Sequence, residues 1–259
     1  MRPVEKFGCP QIKGRNKVYK QHSLARVDLE NNLGYYCSYC EVFSSDLEVE
    51  HVISQHQDSA LKCSWDNFLL ACGRCNGRDN KASKAVDINA THFPHRNNTF
   101  LSFTYQEGGY VSVNPLLEGA SAVAAEKLLN LVGLDKFPGN IKYVKHNAND
   151  TRWNHRRVAW ELAVKYLPDF ESGRLNAEDI VSFARQRGFF SVWYAVYHEH
   201  KSVRELLIQS FPGTAISCLM LLIAIPFPVI RKIQKIRYRL LFLKPDIPVS
   251  KPDTYLLKY

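Results

Sequence analysis

The period of apolar and polar positions changes along the chain, and each period predicts a type of element. Residues 12–33 carry apolar side chains at helical spacing, which predicts an amphipathic helix ended by Gly34. The stretch DLEVEHV at 46–52 alternates instead, so we expect a strand with one face formed by Leu47, Val49 and His51 and the other by Glu48, Glu50 and Val52. NFLLAC at 67–72 predicts a second short strand, and a short helix follows it.

The second half of the chain is patterned mainly for helices. FLSFTY at 100–105 and YVSV at 110–113 first predict a hairpin around the turn at 107–109. Helical spacing then predicts helices from Ala120, over 156–167, over 177–187 and over 191–211. Pro168 is expected to end the second of these helices, and Asn176 to cap the third.

These elements predict an α+β protein with a small β-rich module and a mostly helical C-terminal half. We expect no internal repeat and no low-complexity linker. The predicted organisation is an N-terminal helical segment, a two-strand-and-helix module, a hairpin region and a helical region suited to binding a partner, at 1–34, 35–90, 91–114 and 115–259.

One apolar segment, AISCLMLLIAIPFPVI at 215–230, precedes a run of six Lys or Arg at 231–244. It is shorter than the roughly 20 residues of a membrane-spanning helix, and Pro226 and Pro228 interrupt it. We therefore expect a buried helix. An interface helix for a partner protein and a membrane anchor are the alternatives.

Composition adds a partner and a compartment to this outline. The chain is 46% hydrophobic, enough for a substantial core, and its net charge of +9 favours a polyanionic partner. Nucleic acid is the simplest such partner, although a membrane surface would also fit. Seven cysteines and an N-terminus without an apolar signal region argue against a secreted disulfide scaffold, so we expect a cytoplasmic protein without a membrane.

Four of the cysteines form two CxxC pairs, Cys37 with Cys40 and Cys72 with Cys75. Each pair can offer two thiolates to one tetrahedral Zn²⁺, and four protein ligands close the site, so the zinc would be structural. Four unrelated core thiols or a redox pair are the alternatives. Cys9, Cys63 and Cys218 are expected to be ordinary thiols.

The residues framed by these pairs carry a resemblance. The segment over about 35–84 is similar to the HNH endonucleases, the ββα-metal nucleases. The resemblance lies in YCSYCE, LEVEHVIS, WDNFLLACGRCN and the lysine beyond them. The resemblance implies that His51 is the general base and that Glu50 and Asn76 hold a catalytic Mg²⁺ or Mn²⁺. Asn67 would brace the loop that orients His51. Glu50 stands where Asp is more usual, and Asn76 where some members have His.

The chemistry of these residue types agrees with those roles. A neutral imidazole suits the activation of water, and carboxylate and amide oxygens suit a hard divalent ion. His56 is a weaker candidate for the base. Lys81 and Lys84 follow the second CxxC pair, where they could contact phosphate or lie on a solvated face.

Other candidate groups lie outside this frame. Arg152, Arg156 and Arg157 cluster near Trp153 and could contact phosphates, or form one solvated helix face. The histidine pairs in THFPHR and YHEHK lack a full ligand set, so we expect surface histidines at His92, His95, His198 and His200.

A second resemblance concerns the flanks. The segment before LGYYCSYCE, together with RRVAWELA and FPGTAISC, resembles the HNH effector subunits of Septu-type and retron-associated anti-phage systems. That resemblance implies an ABC- or SMC-like ATPase partner and a nucleic-acid target, with DNA favoured and RNA or tRNA possible. The competing hypotheses are a non-catalytic zinc-stabilised nucleic-acid-binding module and a membrane-anchored nuclease or toxin.

Overall fold

Residues 1–143 and 150–219 are described by the computed structural model. The strands form antiparallel pairs, which are β1 (Gln11–Ile12) with β2 (Arg15–Asn16), β3 (Leu47–His51) with β4 (Phe68–Cys72), and β5 (Phe103–Gln106) with β6 (Tyr110–Val113). The α-helices are α1 (Arg26–Leu33), α2 (Gly73–Asn76), α3 (Thr99–Ser102), α4 (Gly119–Val132), α5 (Arg152–Glu171), α6 (Ala177–Arg187), α7 (Phe190–Val196) and α8 (Lys201–Ser210). The predicted mixture of helices and small strand pairs is confirmed.

Strands β3 and β4 form the hairpin that carries the predicted site. Leu47 pairs with Cys72 at one end of the ladder, and His51 pairs with Phe68 at the other. Alternation places Leu47 and Val49 in the core, whereas Glu48 is exposed. The first four residues of β4, from Phe68 to Ala71, are all buried, and α1 packs against this strand. The two strands predicted from the sequence are therefore confirmed.

The predicted helix over 12–33 is wrong in its first half. Lys13 and Gly14 have φ angles of 52° and 74°, and they form the two-residue turn between β1 and β2. A short 3-10 helix covers His22–Ala25, and α1 begins only at Arg26. The apolar side chains that suggested the longer helix have no core to pack against, since Ile12, Val18 and Leu24 are exposed.

Two further helix predictions need correction. Pro168 does not end α5, which continues to Glu171. A proline removes one amide donor, and here Leu167 and Phe170 on either side of it pack against the core and sustain the last turn. The single helix expected over 191–211 is divided into α7 and α8. The predicted cap is confirmed, because Asn176 and Asp179 form a reciprocal capping box at α6.

Glu41 connects the first cysteine pair to the helices. Its carboxylate is buried and accepts hydrogen bonds from the amide of Arg2 and from the amide and hydroxyl of Ser191, at 2.5, 2.8 and 2.6 Å. The amide of Phe189 donates to the Glu41 carbonyl at 2.8 Å. Gly188 allows this close approach, since a Cβ there would lie 2.5 Å from that same carbonyl oxygen.

The apolar segment predicted at 215–230 is described only as far as residue 219, and the basic run at 231–244 lies wholly outside the described residues. Within the described ranges, no helix has the length and apolar character needed to span a bilayer.

Candidate functional site

The sulfur atoms of Cys37, Cys40, Cys72 and Cys75 all lie within 4.8 Å of one another. Cys37 and Cys40 come from the turn before β3, while Cys72 ends β4 and Cys75 lies in α2. Zinc–sulfur bonds of about 2.3 Å in a tetrahedron place the sulfurs about 3.8 Å apart. The sulfurs of Cys40 and Cys72 are 3.6 Å apart, so the cluster fits one tetrahedral ion.

A buried arginine contacts this cluster. Arg152 donates from Nη1 to the sulfur of Cys75 at 3.1 Å and to the Val132 carbonyl at 2.8 Å. Asp150 pairs with the same guanidinium at 2.6 Å. Positive charge beside a thiolate favours the charged sulfur that a metal requires.

These contacts correct the phosphate-contact hypothesis for the arginine cluster. Arg152 and Arg156 are buried, and Arg156 donates to the carbonyls of Gly109 and Leu134, each at 2.8 Å. Arg157 pairs with Glu161 on its own helix. The first two arginines therefore stabilise the fold from within.

His51 ends β3 with its imidazole held by the following loop. Its Nε2 lies 2.9 Å from the carbonyl oxygen of Lys62. A carbonyl only accepts, so Nε2 carries the hydrogen and Nδ1 keeps its lone pair in the neutral ring. Burial lowers the pKa of His51 below its ordinary value, although the Lys62 carbonyl opposes the shift. The lowered pKa favours the neutral ring, in which Nδ1 can accept a hydrogen, and the side-chain nitrogen of Gln55 lies 3.5 Å from that atom.

Asn67 fixes the ends of the loop between β3 and β4. Its side-chain oxygen accepts from the Ile53 amide at 2.8 Å, and its side-chain nitrogen donates to the Ile53 carbonyl at 2.9 Å and the Leu61 carbonyl at 3.3 Å. The residue is buried. Because Ile53 and Leu61 stand close in sequence to His51 and Lys62, these bonds constrain the loop that holds the imidazole.

Glu50 lies in a different environment from the neighbouring His51. It is buried and forms an ion pair with Lys81, with 2.7 Å between Oε1 and Nζ. Tyr39 donates to the same oxygen at 3.3 Å. Burial raises the pKa of Glu50 to about 7, against the opposing charge of Lys81. Lys81 is fully buried and also donates to the backbone carbonyl of His51. It therefore lies on no solvated face, unlike the exposed Lys84.

Asn76 contacts Glu48, which was not among the predicted site residues. The Asn76 side-chain nitrogen donates to Oε2 of Glu48 at 2.8 Å. Glu48 and Glu50 are alternate residues of β3, so they leave the strand on one face. Their carboxylates and the amide oxygen of Asn76 offer hard oxygen donors of the kind that Mg²⁺ and Mn²⁺ accept. Both contacts to Glu50 described above use its Oε1 atom and not Oε2.

The predicted site residues therefore form two groups. His51 and Asn67 are organised by the loop. On the other face of the strand, Glu50 pairs with Lys81 and Asn76 donates to Glu48. Lys81 joins the two groups, since it contacts the Glu50 carboxylate and the His51 backbone.

Sequence reasoning missed Glu48 although its alternation with Glu50 was visible. It also missed His22, whose ring centroid lies 4.9 Å from that of His51. No local pattern indicates that second contact, because the two histidines are far apart in the chain.

The remaining histidine candidates join no metal-ligand group in the described ranges, where the cysteine cluster is the group found. His92 contacts the Ser102 hydroxyl at 2.9 Å, and burial lowers the pKa of His95 to about 3. His198 and His200 lie near glutamates at the surface of the helical half.

Comparison with known proteins agrees with the site at the level of a family. The family model described as HNH endonuclease matches residues 35–82, which include both cysteine pairs and the β3–β4 hairpin. No curated protein matches the chain. The matched segment indicates a metal-dependent nuclease that binds nucleic acid.

Proposed function

We propose that this protein is a metal-dependent HNH endonuclease that hydrolyses phosphodiester bonds, with DNA as the favoured substrate. The observation that carries the proposal is the 2.9 Å contact between Nε2 of His51 and the Lys62 carbonyl, inside the segment that matches the family. A histidine held through Nε2, with Nδ1 able to accept a proton, is what activation of a water molecule requires.

In the proposed reaction, Nδ1 of His51 removes a proton from water as the water oxygen forms a bond to phosphorus. The bond between phosphorus and the leaving oxygen breaks, and that oxygen takes a proton from solvent. Asn67 acts through the loop, because its bonds to Ile53 and to the Leu61 carbonyl hold both ends of the loop that carries the Lys62 carbonyl. It is a positioning residue rather than a catalytic one.

Glu50 and Asn76 are the proposed ligands of a catalytic Mg²⁺ or Mn²⁺, and the structure adds Glu48 as a neighbour of Asn76. The bound ion would supply positive charge against the negative charge that develops on the phosphate. Cys37, Cys40, Cys72 and Cys75 are proposed to hold a structural Zn²⁺. A closed four-thiolate site leaves no position for substrate, so the role of the zinc would be to hold the β3–β4 hairpin and α2 together.

The decisive experiment incubates the purified protein with plasmid DNA and with RNA, with Mg²⁺ or Mn²⁺ added. We expect cutting that His51→Ala abolishes and that His56→Ala leaves unchanged, because His56 is exposed on the loop and serves as the matched control. Cutting by His51→Ala at the wild-type rate would overturn the assignment of the base. Loss of cutting in His56→Ala alone would transfer that role to His56.

A zinc-stabilised nucleic-acid-binding module without catalysis is the second candidate. It is favoured by one observation, the buried ion pair between Glu50 and Lys81, because an ammonium already neutralises the proposed metal ligand. Tight binding of nucleic acid with no cutting under any divalent metal would select this candidate.

For the cellular context, we infer a cytoplasmic nuclease effector of an anti-phage system that works with an ABC- or SMC-like ATPase. This inference is supported by the likeness of the flanking sequence to Septu-type and retron-associated effectors. Co-expression with the product of the neighbouring gene tests it. Recovery of the two proteins as one complex is expected, and independent elution would contradict the partnership.

A further inference from the structure

The β1–β2 hairpin is a basic projection whose base packs beside His51. Residues 6–27 contain six Lys or Arg and no Asp or Glu. Every residue from Gln11 to Asn16 is exposed. The turn presents Lys13 at its tip, and Arg15 begins the returning strand.

Three cations of this segment have no acidic partner within the described ranges, and we call Lys13, Arg15 and Lys20 the hairpin cations. The other basic side chains nearby are already engaged. Lys17 pairs with Asp28 at 2.6 Å, Arg26 pairs with Glu30 at 2.7 Å, and Lys6 donates to the carbonyls of Trp65 and Phe68. The hairpin cations are all exposed, so they remain available to an external anion.

Both ends of the hairpin are fixed to Trp65, which lies in the short 3-10 helix directly before the strand that pairs with β3. On the incoming side, the indole of Trp65 donates to the Phe7 carbonyl at 3.0 Å. On the outgoing side, Tyr19 stacks on Trp65 with ring centroids 6.0 Å apart. Three residues later, His22 reaches the ring of His51. Since Phe68 pairs with His51 in the ladder, the base of the projection adjoins the proposed general base.

We propose that the β1–β2 hairpin grips the phosphate backbone of double-stranded DNA next to the scissile bond. This proposal rests on the nuclease function proposed above and names the contact that would hold its substrate. A two-stranded ribbon with cations at its tip fits along a duplex groove, and phosphate contacts position a protein without reading sequence. From Gln11 to Asn16 the ribbon carries no aromatic side chain on which an unpaired base could stack.

The test measures DNA binding in the His51→Ala protein, so that the probe stays uncut. One variant changes the three hairpin cations to Gln. The matched control makes the same change of charge at two exposed lysines and one exposed arginine of the helical half, Lys127, Lys165 and Arg185. A third variant keeps the charge by exchanging Lys for Arg and Arg for Lys at the hairpin cations. The probes are a short duplex DNA, its single strand and a duplex RNA of the same sequence.

Each lost phosphate contact lowers the slope of log affinity against log salt by about 0.9, so the hairpin variant should lose about 2–3 in slope and roughly tenfold or more in duplex affinity. The helix control and the charge-keeping variant should retain both. Unchanged melting temperatures are expected, because the altered side chains are exposed.

Equal slopes for the hairpin and helix variants would overturn the proposal while leaving the nuclease function intact. A loss confined to single-stranded DNA or to RNA would overturn duplex DNA as the partner. If the His51→Ala protein binds no nucleic acid and the wild type cuts none, the proposed function fails first, and the hairpin contact fails with it.

Discussion

Replacing Glu50 with Gln should stabilise the folded protein at high pH, although the change removes a buried ion pair. Burial raises the pKa of Glu50 from 4.5 to about 7. A carboxyl whose pKa is raised in the folded state contributes stability that is complete below the unfolded pKa and is lost as pH rises through the folded pKa. The difference between 4.5 and about 7 corresponds to about 3 kcal/mol lost between those two values.

The amide of Gln resembles the protonated carboxyl in shape and charge, so the variant should keep this stability. We expect Glu50→Gln to be about 3 kcal/mol more stable than wild type near pH 8 and about equal to it near pH 4, below the unfolded pKa. Urea unfolding with zinc present and no other divalent ion measures the free energy of unfolding of each protein at each pH. The comparison between two proteins at one pH cancels the pH dependence of the cysteine cluster, which both proteins share.

Glu48→Gln is the matched control, because Glu48 lies on the same face of β3 but is exposed. It should change the free energy of unfolding by less than about 0.5 kcal/mol at either pH. A Glu50→Gln protein that is less stable than wild type near pH 8 would refute the reasoning, since the pair with Lys81 would then outweigh the desolvation of the carboxylate. Added Mg²⁺ should narrow the difference by stabilising wild type alone, which tests Glu50 as a metal ligand without any activity measurement.

Three other predictions concern the surroundings of the site. Asn67→Ala should lower the free energy of unfolding by about 2–3 kcal/mol and slow cutting, because it leaves the Ile53 amide and carbonyl without their partner. An unchanged urea midpoint would contradict this. Arg152→Gln should speed the transfer of zinc to a chromogenic chelator, since Cys75 loses a charged donor; an equal rate would show that the contact has no influence. Removing zinc from wild type with a chelator should unfold the β3–β4 hairpin and end nucleic-acid cutting, as followed by circular dichroism and plasmid nicking, and a folded metal-free protein would contradict a structural zinc.

The strands and the cysteine pairs could be predicted because their signals are local. Alternation over five residues predicts β3, and the two-residue spacing within each CxxC pair predicts half of a metal cluster. Asn176 likewise caps a helix three residues away from its partner Asp179. Each of these features depends on side chains that are close in sequence.

The surroundings of the site could not be predicted in the same way. Lys81 contacts Glu50 from 31 positions away, and Arg152 reaches Cys75 across 77 positions. In the sequence, both look like ordinary basic residues. Their burial follows from the fold and has no local sequence signal. The predicted N-terminal helix is too long for a related reason. Ile12 and Val18 fit a helical pattern, but in the fold both side chains are exposed and have no apolar surface to pack against.

The contacts of Glu41 bear on how this nuclease-like segment can be moved between proteins. Its carboxylate is satisfied by Arg2 from before the segment and by Ser191 from far beyond it. A transplant of residues 35–82 alone would leave the Glu41 carboxylate without these donors next to the metal cluster, and the destabilisation would be several kcal/mol. The segment is therefore not self-sufficient, and a chimera that kept its metal would also need the Arg2 amide and the residues at 188–191.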